Sequence, residues 1–192
     1  PNNPTGTYLN RNEILDLLDK LPKSIILVLD GAYAEYVTKE DYDHGFSLVD
    51  QFENVVITRT FSKAYGLAGI RLGWCYSSEK VASILNKVKG PFNTQRLSQE
   101  MAIVALDDKE YLNKVIKNNQ EIKIWFEVEL NKINIKTRSS EGNFSFVEMS
   151  EKEAKKISVH LANSGIFVRE LDSYGLPNCL RITIGTKEEM EA

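Results

Sequence analysis

Apolar positions along the chain follow two different spacings. Ile14, Leu15, Leu17, Leu18 and Leu21 recur at helical intervals, with Asn10 placed to cap them and Pro22 closing the run, which predicts a first helix. Residues 24–29 (SIILVL) are an unbroken apolar run, the pattern of a strand buried on both faces. Residues 54–58 (NVVIT) predict a second strand, 70–76 a third around Gly73, and 79–89 a helix that ends at Gly90-Pro91. Strands separated by helices of this size predict an α/β fold, mostly a parallel sheet with helical crossovers. The texture changes after residue 107. Residues 109–132 predict one long amphipathic helix, with Leu112, Val115, Ile122, Phe126 and Leu130 along one stripe. Short strands at 133–137 and 143–148, a helix at 151–163 and strands near 166–169 and 180–184 then describe a small α+β unit. The expected division is 1–107 and 108–192, and no internal repeat is visible.

Composition adds exclusions. A net charge of -3, with acidic and basic residues interspersed, gives no global attraction to nucleic acid or an anionic membrane. No apolar run has the length of a membrane span and no secretory signal opens the sequence, so a cytoplasmic location is expected. Cys75 and Cys179 lie far apart and form no CxxC pair, and His44 and His160 are isolated, so neither a disulfide framework nor a metal site is expected. The abrupt opening at Pro1-Asn2-Asn3-Pro4-Thr5-Gly6 and the unfinished helical turn at the far end read as a piece of a longer protein.

Four signals carry candidate chemistry. The first is Asn3-Pro4-Thr5-Gly6. The second is Asp30-Gly31-Ala32-Tyr33, directly after the first strand, where α/β sheets place ligand crevices at strand carboxyl ends. The third is residues 58–74 (TRTFSKAYGLAGIRLGW): Lys63 follows a strand, Gly66 and Gly69 permit close backbone approach, and Arg71, by itself readable as an ordinary surface arginine, lies eight residues on. The fourth is residues 180–185 (LRITIG), with Arg181 in an apolar strand. An unpaired guanidinium is costly to bury there, and an anionic ligand or a structural carboxylate would each relieve that cost. Asp30 is either a ligand group or a cap on the chain leaving its strand. Asn3 by itself is a turn former, and Arg169 is either a substrate contact or a surface ion-pair residue. Trp74, Trp125 and Phe126 read as core.

Taken in this order, NNPTG, DGAYAEY, TRTFSKAYGLAGIRLGW and YGLPNCLRITIGT resemble the class I/II aminotransferases of pyridoxal-phosphate fold type I, and within them the histidinol-phosphate branch, over essentially all 192 residues. The resemblance implies that 1–107 is part of the large cofactor-binding domain, and 108–192 a bridging helix and small C-terminal domain. It implies pyridoxal 5'-phosphate as cofactor, held covalently by Lys63, which also moves the substrate proton. Asp30 would pair with the ring nitrogen, Asn3 and Tyr33 would contact the ring hydroxyl oxygen, and Thr60, Ser62 and Arg71 would hold the phosphate. Arg181 would bind the anionic end of the substrate, with Arg169 as a second positive charge and Asn3 beside them. The implied reaction is amino transfer between L-histidinol phosphate and 2-oxoglutarate in a homodimer acting on small molecules. Aromatic amino acid transamination, threonine-phosphate decarboxylation and a ligand-sensing domain of a transcription regulator are the rivals. Gly31 departs from the acidic residue many relatives carry. The family's Gly-rich phosphate loop, ring-stacking aromatic, substrate lid and partner tyrosine all lie outside this sequence. The 192 residues alone are therefore not expected to make a competent site.

Overall fold

The computed structural model describes residues 1–192. They fall into two compact units, Leu9–Lys114 and a second made of Pro1–Tyr8 with Val115–Ala192.

In the first unit, helix α1 (Arg11–Lys20) starts at the expected cap: Asn10 accepts from the Glu13 backbone while the Glu13 carboxylate accepts from the Asn10 N–H. Its buried face, Ile14 and Leu18, meets Leu48 and Val49 of α2 (Phe46–Gln51) and Val55 and Ile57 of β2 (Val55–Thr60). Strand β1 (Leu27–Asp30) pairs in parallel with β2, Asp30 opposite Thr58. The expectation of burial on both faces fails for β1. Leu27 and Leu29 pack on the core, whereas Ile25, Ile26 and Val28 are about half exposed, because no element of this unit covers that side.

The expected parallel crossover into the third strand fails too. β3 (Gly73–Ser77) runs antiparallel to β2, with Gly73 opposite Thr60, so the three-stranded sheet is mixed. The physical reason lies in residues 61–72, which hold no helix long enough to carry the chain back to the starting edge. They fold as a wide return instead, closed by Phe61 N–H to the Leu72 carbonyl and by Leu67 N–H to the Phe61 carbonyl. Ile70, expected in the strand, sits in a single 3-10 turn at Ala68–Ile70. Helix α3 (Glu79–Val88) lies where predicted. Helix α4 (Arg96–Asp107) was not predicted: it lacks a side-chain cap, and its buried face is Ser98 and Ala102 while Leu97, Ile103 and Val104 are exposed. Its apolar pattern therefore marks the wrong face.

Helix α5 (Lys109–Lys132) has the predicted extent; of its stripe Ile122 is buried and Leu112, Val115, Phe126 and Leu130 are half-buried, while the polar Asn119, outside that apolar set, is buried too. In the second unit a four-stranded antiparallel sheet, in the order β4 (Lys136–Arg138), β5 (Phe144–Glu148), β7 (Cys179–Thr183), β6 (Arg169–Glu170), packs with α6 (Glu151–Asn163). Phe146, Leu171 and Cys179 form its core with Leu176 against them. Capping boxes start α6, at Ser150 and Glu153, and the short α7 (Lys187–Glu191), at Thr186 and Glu189. No helix is long and apolar enough to cross a membrane.

Candidate active site

In the unit of residues 9–114, six of the predicted site residues gather at one end of the mixed sheet. β1 and β2 run parallel and end there, placing Asp30, Thr60 and the residues just beyond them together. β3 starts at that end, so Arg71, two residues ahead of Gly73, arrives from the opposite direction. Asp30 is steered by its own turn, its Oδ1 accepting from the Ala32 N–H at 3.0 Å and from the Thr58 hydroxyl at 3.5 Å. Its second carboxylate oxygen has no partner. Tyr33 is buried, and the Lys63 Nζ lies 5.3 Å from its ring centroid. Lys63 is itself exposed and forms no ion pair, so its amine is open to a reactant.

The turn that carries Lys63 is built backbone first. Ser62 N–H donates to the Thr60 hydroxyl at 3.1 Å, leaving the Ser62 hydroxyl unengaged, and Gly66 N–H donates to the Lys63 carbonyl at 2.9 Å. Gly66 takes φ +69°, which favours glycine; an added Cβ would also come within 2.8 Å of the Tyr111 hydroxyl, the movable end of an exposed side chain. Arg71 adopts φ +51°, an uncommon conformation for a side-chain-bearing residue, and its guanidinium donates to the Ala68 carbonyl at 2.9 Å. From α4, the Ser98 hydroxyl donates to the Ile70 carbonyl at 2.9 Å and braces the same turn. One amine, one guanidinium, two hydroxyls and one carboxylate thus share a sheet end: a donor set for a phosphate dianion, beside an acid suited to a protonated ring nitrogen.

In the unit of residues 1–8 and 115–192, Asn3 and Arg181 come together. The Arg181 Nη1 donates to the Asn3 Oδ1 at 2.5 Å, and its guanidinium carbon stands 5.3 Å from the centre of the Phe144 ring. Arg169 is the cross-strand partner of Arg181, so two guanidinium side chains share one face, a destabilising juxtaposition unless an anion is shared. Neither arginine has a carboxylate partner, and the Arg181 Nε is buried without an acceptor. Asn3 is held by the loop around it: Gly6 N–H donates to the Asn2 carbonyl at 2.8 Å, and Glu141 N–H to the Gly6 carbonyl at 2.9 Å.

Sequence reasoning passed over Arg59 and Glu35. Arg59 is 6% exposed, and Glu35 lies in the single 3-10 turn after Tyr33. The signal was available, since a guanidinium in a buried strand needs partners wherever it occurs, and that argument was applied to Arg181 alone. Burial pushes the Glu35 carboxyl upward, against the pull of a backbone hydrogen bond and of Arg59. Beside it Tyr36 is pushed up to about 12, mainly by burial and then by Glu35, Tyr111 and Tyr33.

The sheet and its clustered groups define an α/β protein with a candidate anion-binding site at its strand ends. The chain belongs to the class I and II aminotransferase family, whose model matches residues 1–192. A histidinol-phosphate aminotransferase of Granulibacter bethesdensis is 45% identical over 192 residues, covering 100% of this chain and 52% of the relative. One from Maricaulis maris is 38% identical, covering 98% and 53%. The crystal structure of histidinol-phosphate aminotransferase from Sinorhizobium meliloti, in complex with pyridoxal-5'-phosphate, superposes with a TM-score of 0.90 at 31% identity, over 100% of this chain and 53% of that one. The chain thus spans about half the length of the relatives it matches.

Proposed function

We propose that the chain forms part of a pyridoxal-phosphate-dependent transaminase that moves an amino group between L-histidinol phosphate and 2-oxoglutarate, giving imidazole acetol phosphate and L-glutamate. The observation that carries the reading is the gathering of Lys63, Asp30, Thr60, Ser62 and Arg71 at one sheet end. The names of the relatives supply the substrate. Arg71 and the hydroxyls of Thr60 and Ser62 hold the cofactor phosphate through charge-assisted and neutral hydrogen bonds. Asp30 accepts from the ring N–H, Tyr33 and Asn3 address the ring oxygen, and Lys63 anchors the group covalently. When bound, the cofactor supplies the electron sink that stabilises charge at the substrate Cα. Lys63 takes the proton from that carbon and returns it, with its unpaired amine suited to both roles. Arg181 and Arg169 bind the anionic end of the substrate, and Asn3 orients Arg181. Residues 1–107 belong in this reading to the large cofactor domain and 108–192 to the bridging helix and small domain. The assembly is a cytoplasmic homodimer acting on small molecules.

The test is an absorbance titration of the full-length protein with pyridoxal phosphate and then L-histidinol phosphate, beside a Lys63→Ala variant. The expected result is a visible band of lysine-bound cofactor that histidinol phosphate abolishes and that the variant never forms. A band indifferent to histidinol phosphate would sink the substrate, and aromatic amino acids and threonine phosphate are then the donors to try. Absence of the band in the wild type would sink the enzyme reading.

A further inference from the structure

Arg59 lies among the proposed cofactor residues yet points away from them. Its side chain runs from the penultimate position of β2 into the protein interior and ties together four segments. Nη1 donates to the Thr58 carbonyl at 3.1 Å, the same oxygen that accepts from the Gly31 N–H at 3.0 Å, so the guanidinium completes the joint between the end of β1 and β2. Nη2 donates to the His44 carbonyl at 2.6 Å, in the loop before α2. Nε faces the Glu35 carboxylate at 3.7 Å, in the turn that follows Tyr33. The Phe46 ring, 5.7 Å away, covers one side of the fork.

Gly31 is what admits this arrangement. A Cβ there would stand 1.6 Å from Arg59 Nη1 and 2.9 Å from the Thr58 carbonyl oxygen. Gly31 has an ordinary backbone conformation, so the constraint is space for the guanidinium and not φ. Gly31 directly follows Asp30, and Arg59 directly precedes Thr60. Whatever fixes Gly31 against Arg59 fixes the carboxylate for the ring nitrogen relative to the strand end that leads to Lys63.

We propose that Arg59, seated in the gap left by Gly31 and faced by Glu35, is the positioning residue that sets Asp30 and Tyr33 in register with Thr60, Ser62 and Lys63. The inference rests on the proposed cofactor site. Arg59 touches neither cofactor nor substrate; it acts through the strand ends it joins. A lysine would keep the charge but cannot reach three acceptors at once, because the fork geometry belongs to guanidinium. Removing the cation alone would leave Glu35 buried and unpaired, so the informative change removes both charges together.

The experiment compares full-length wild type with the Glu35→Gln/Arg59→Met double variant and with Arg59→Lys. The dissociation constant for pyridoxal phosphate is read from the visible band, and the thermal midpoint of each cofactor-free protein is measured alongside. The expected result is a cofactor dissociation constant raised about tenfold or more in the double variant, with a near-wild-type midpoint, and a smaller rise in Arg59→Lys. A merely structural pair would lower the midpoint and leave the constant unchanged, and that outcome overturns the inference. If the double variant does not fold, Arg59→Lys decides, and a wild-type constant there overturns it equally. A wild type that binds no cofactor removes the proposed function and this inference with it, which separates that failure from the failure of the inference alone.

Discussion

Replacing Gly6 by alanine tests how the Asn3 loop is held. Gly6 sits at φ +75°, where an L side chain costs about 1–2 kcal/mol. The new Cβ would also stand 2.4 Å from the Ser140 Cβ and 2.6 Å from the Ser140 Cα. The second of these is backbone, so no rotamer change relieves it, and overpacking of this kind costs about 1–3 kcal/mol. The bond from Glu141 N–H to the Gly6 carbonyl must then lengthen, at about 1 kcal/mol. The sum is roughly 3–6 kcal/mol, which at a urea dependence of about 2 kcal/mol per molar lowers the unfolding midpoint by about 1.5–3 M. Ser140→Gly in the same chain removes the hydroxyl and Cβ clashes but not the Cα one, so it should restore only part of the loss. The loop displacement should also raise KM for the amine donor by moving Asn3 away from Arg181. An unchanged urea midpoint for Gly6→Ala would refute the reasoning, since both the conformational and the steric cost would then be absent.

Other expectations follow from the same geometry. Arg181→Gln should raise KM for histidinol phosphate by about 10- to 100-fold, the worth of one or two charge-assisted hydrogen bonds, and a kcat effect with unchanged KM would contradict substrate anchoring. Asp30→Asn should lower kcat by about 10²-fold or more while the cofactor still binds, measured by steady-state kinetics beside the absorbance band; undiminished turnover would remove Asp30 from the site. Tyr36 titrates near 12 when folded and near 10 when unfolded, so it costs nothing below pH 10. Between those values the unfolded chain loses its proton first and stability falls with rising pH, by about 2–3 kcal/mol in all. Tyr36→Phe should flatten that alkaline decline in urea titrations between pH 9.5 and about 12, and an identical decline in both proteins would count against it.

The parts of the fold legible in sequence were those with redundant local signals. α1 announced itself through Asn10, Glu13 and Pro22, and α5 through a stripe repeated over its whole length. The clustering of the candidate site was legible because Lys63, Gly66 and Arg71 sit in one turn whose backbone needs leave a mark on residue choice. Strand direction was not legible. Nothing in residues 70–77 distinguishes a parallel from an antiparallel partner, and only the path of residues 61–72 decides it. α4 was hidden because Ser98 is buried for its hydrogen bond to the Ile70 carbonyl while neighbouring large apolar residues face outward. The pairing of Arg169 with Arg181 depends on register across two strands, information that no single segment contains.

The bond between Arg181 and Asn3 joins residues 178 positions apart. Closing a flexible loop of that length costs on the order of 4–5 kcal/mol of chain entropy, and prior folding of the intervening residues is what reduces it. A contact of that separation is a poor nucleus, and its geometry depends on β5 and β7 being paired and on the Ser140 turn that receives Gly6. The Arg181–Asn3 pair is in this sense a closure of the second unit, available only where strand β7 is already seated in its sheet.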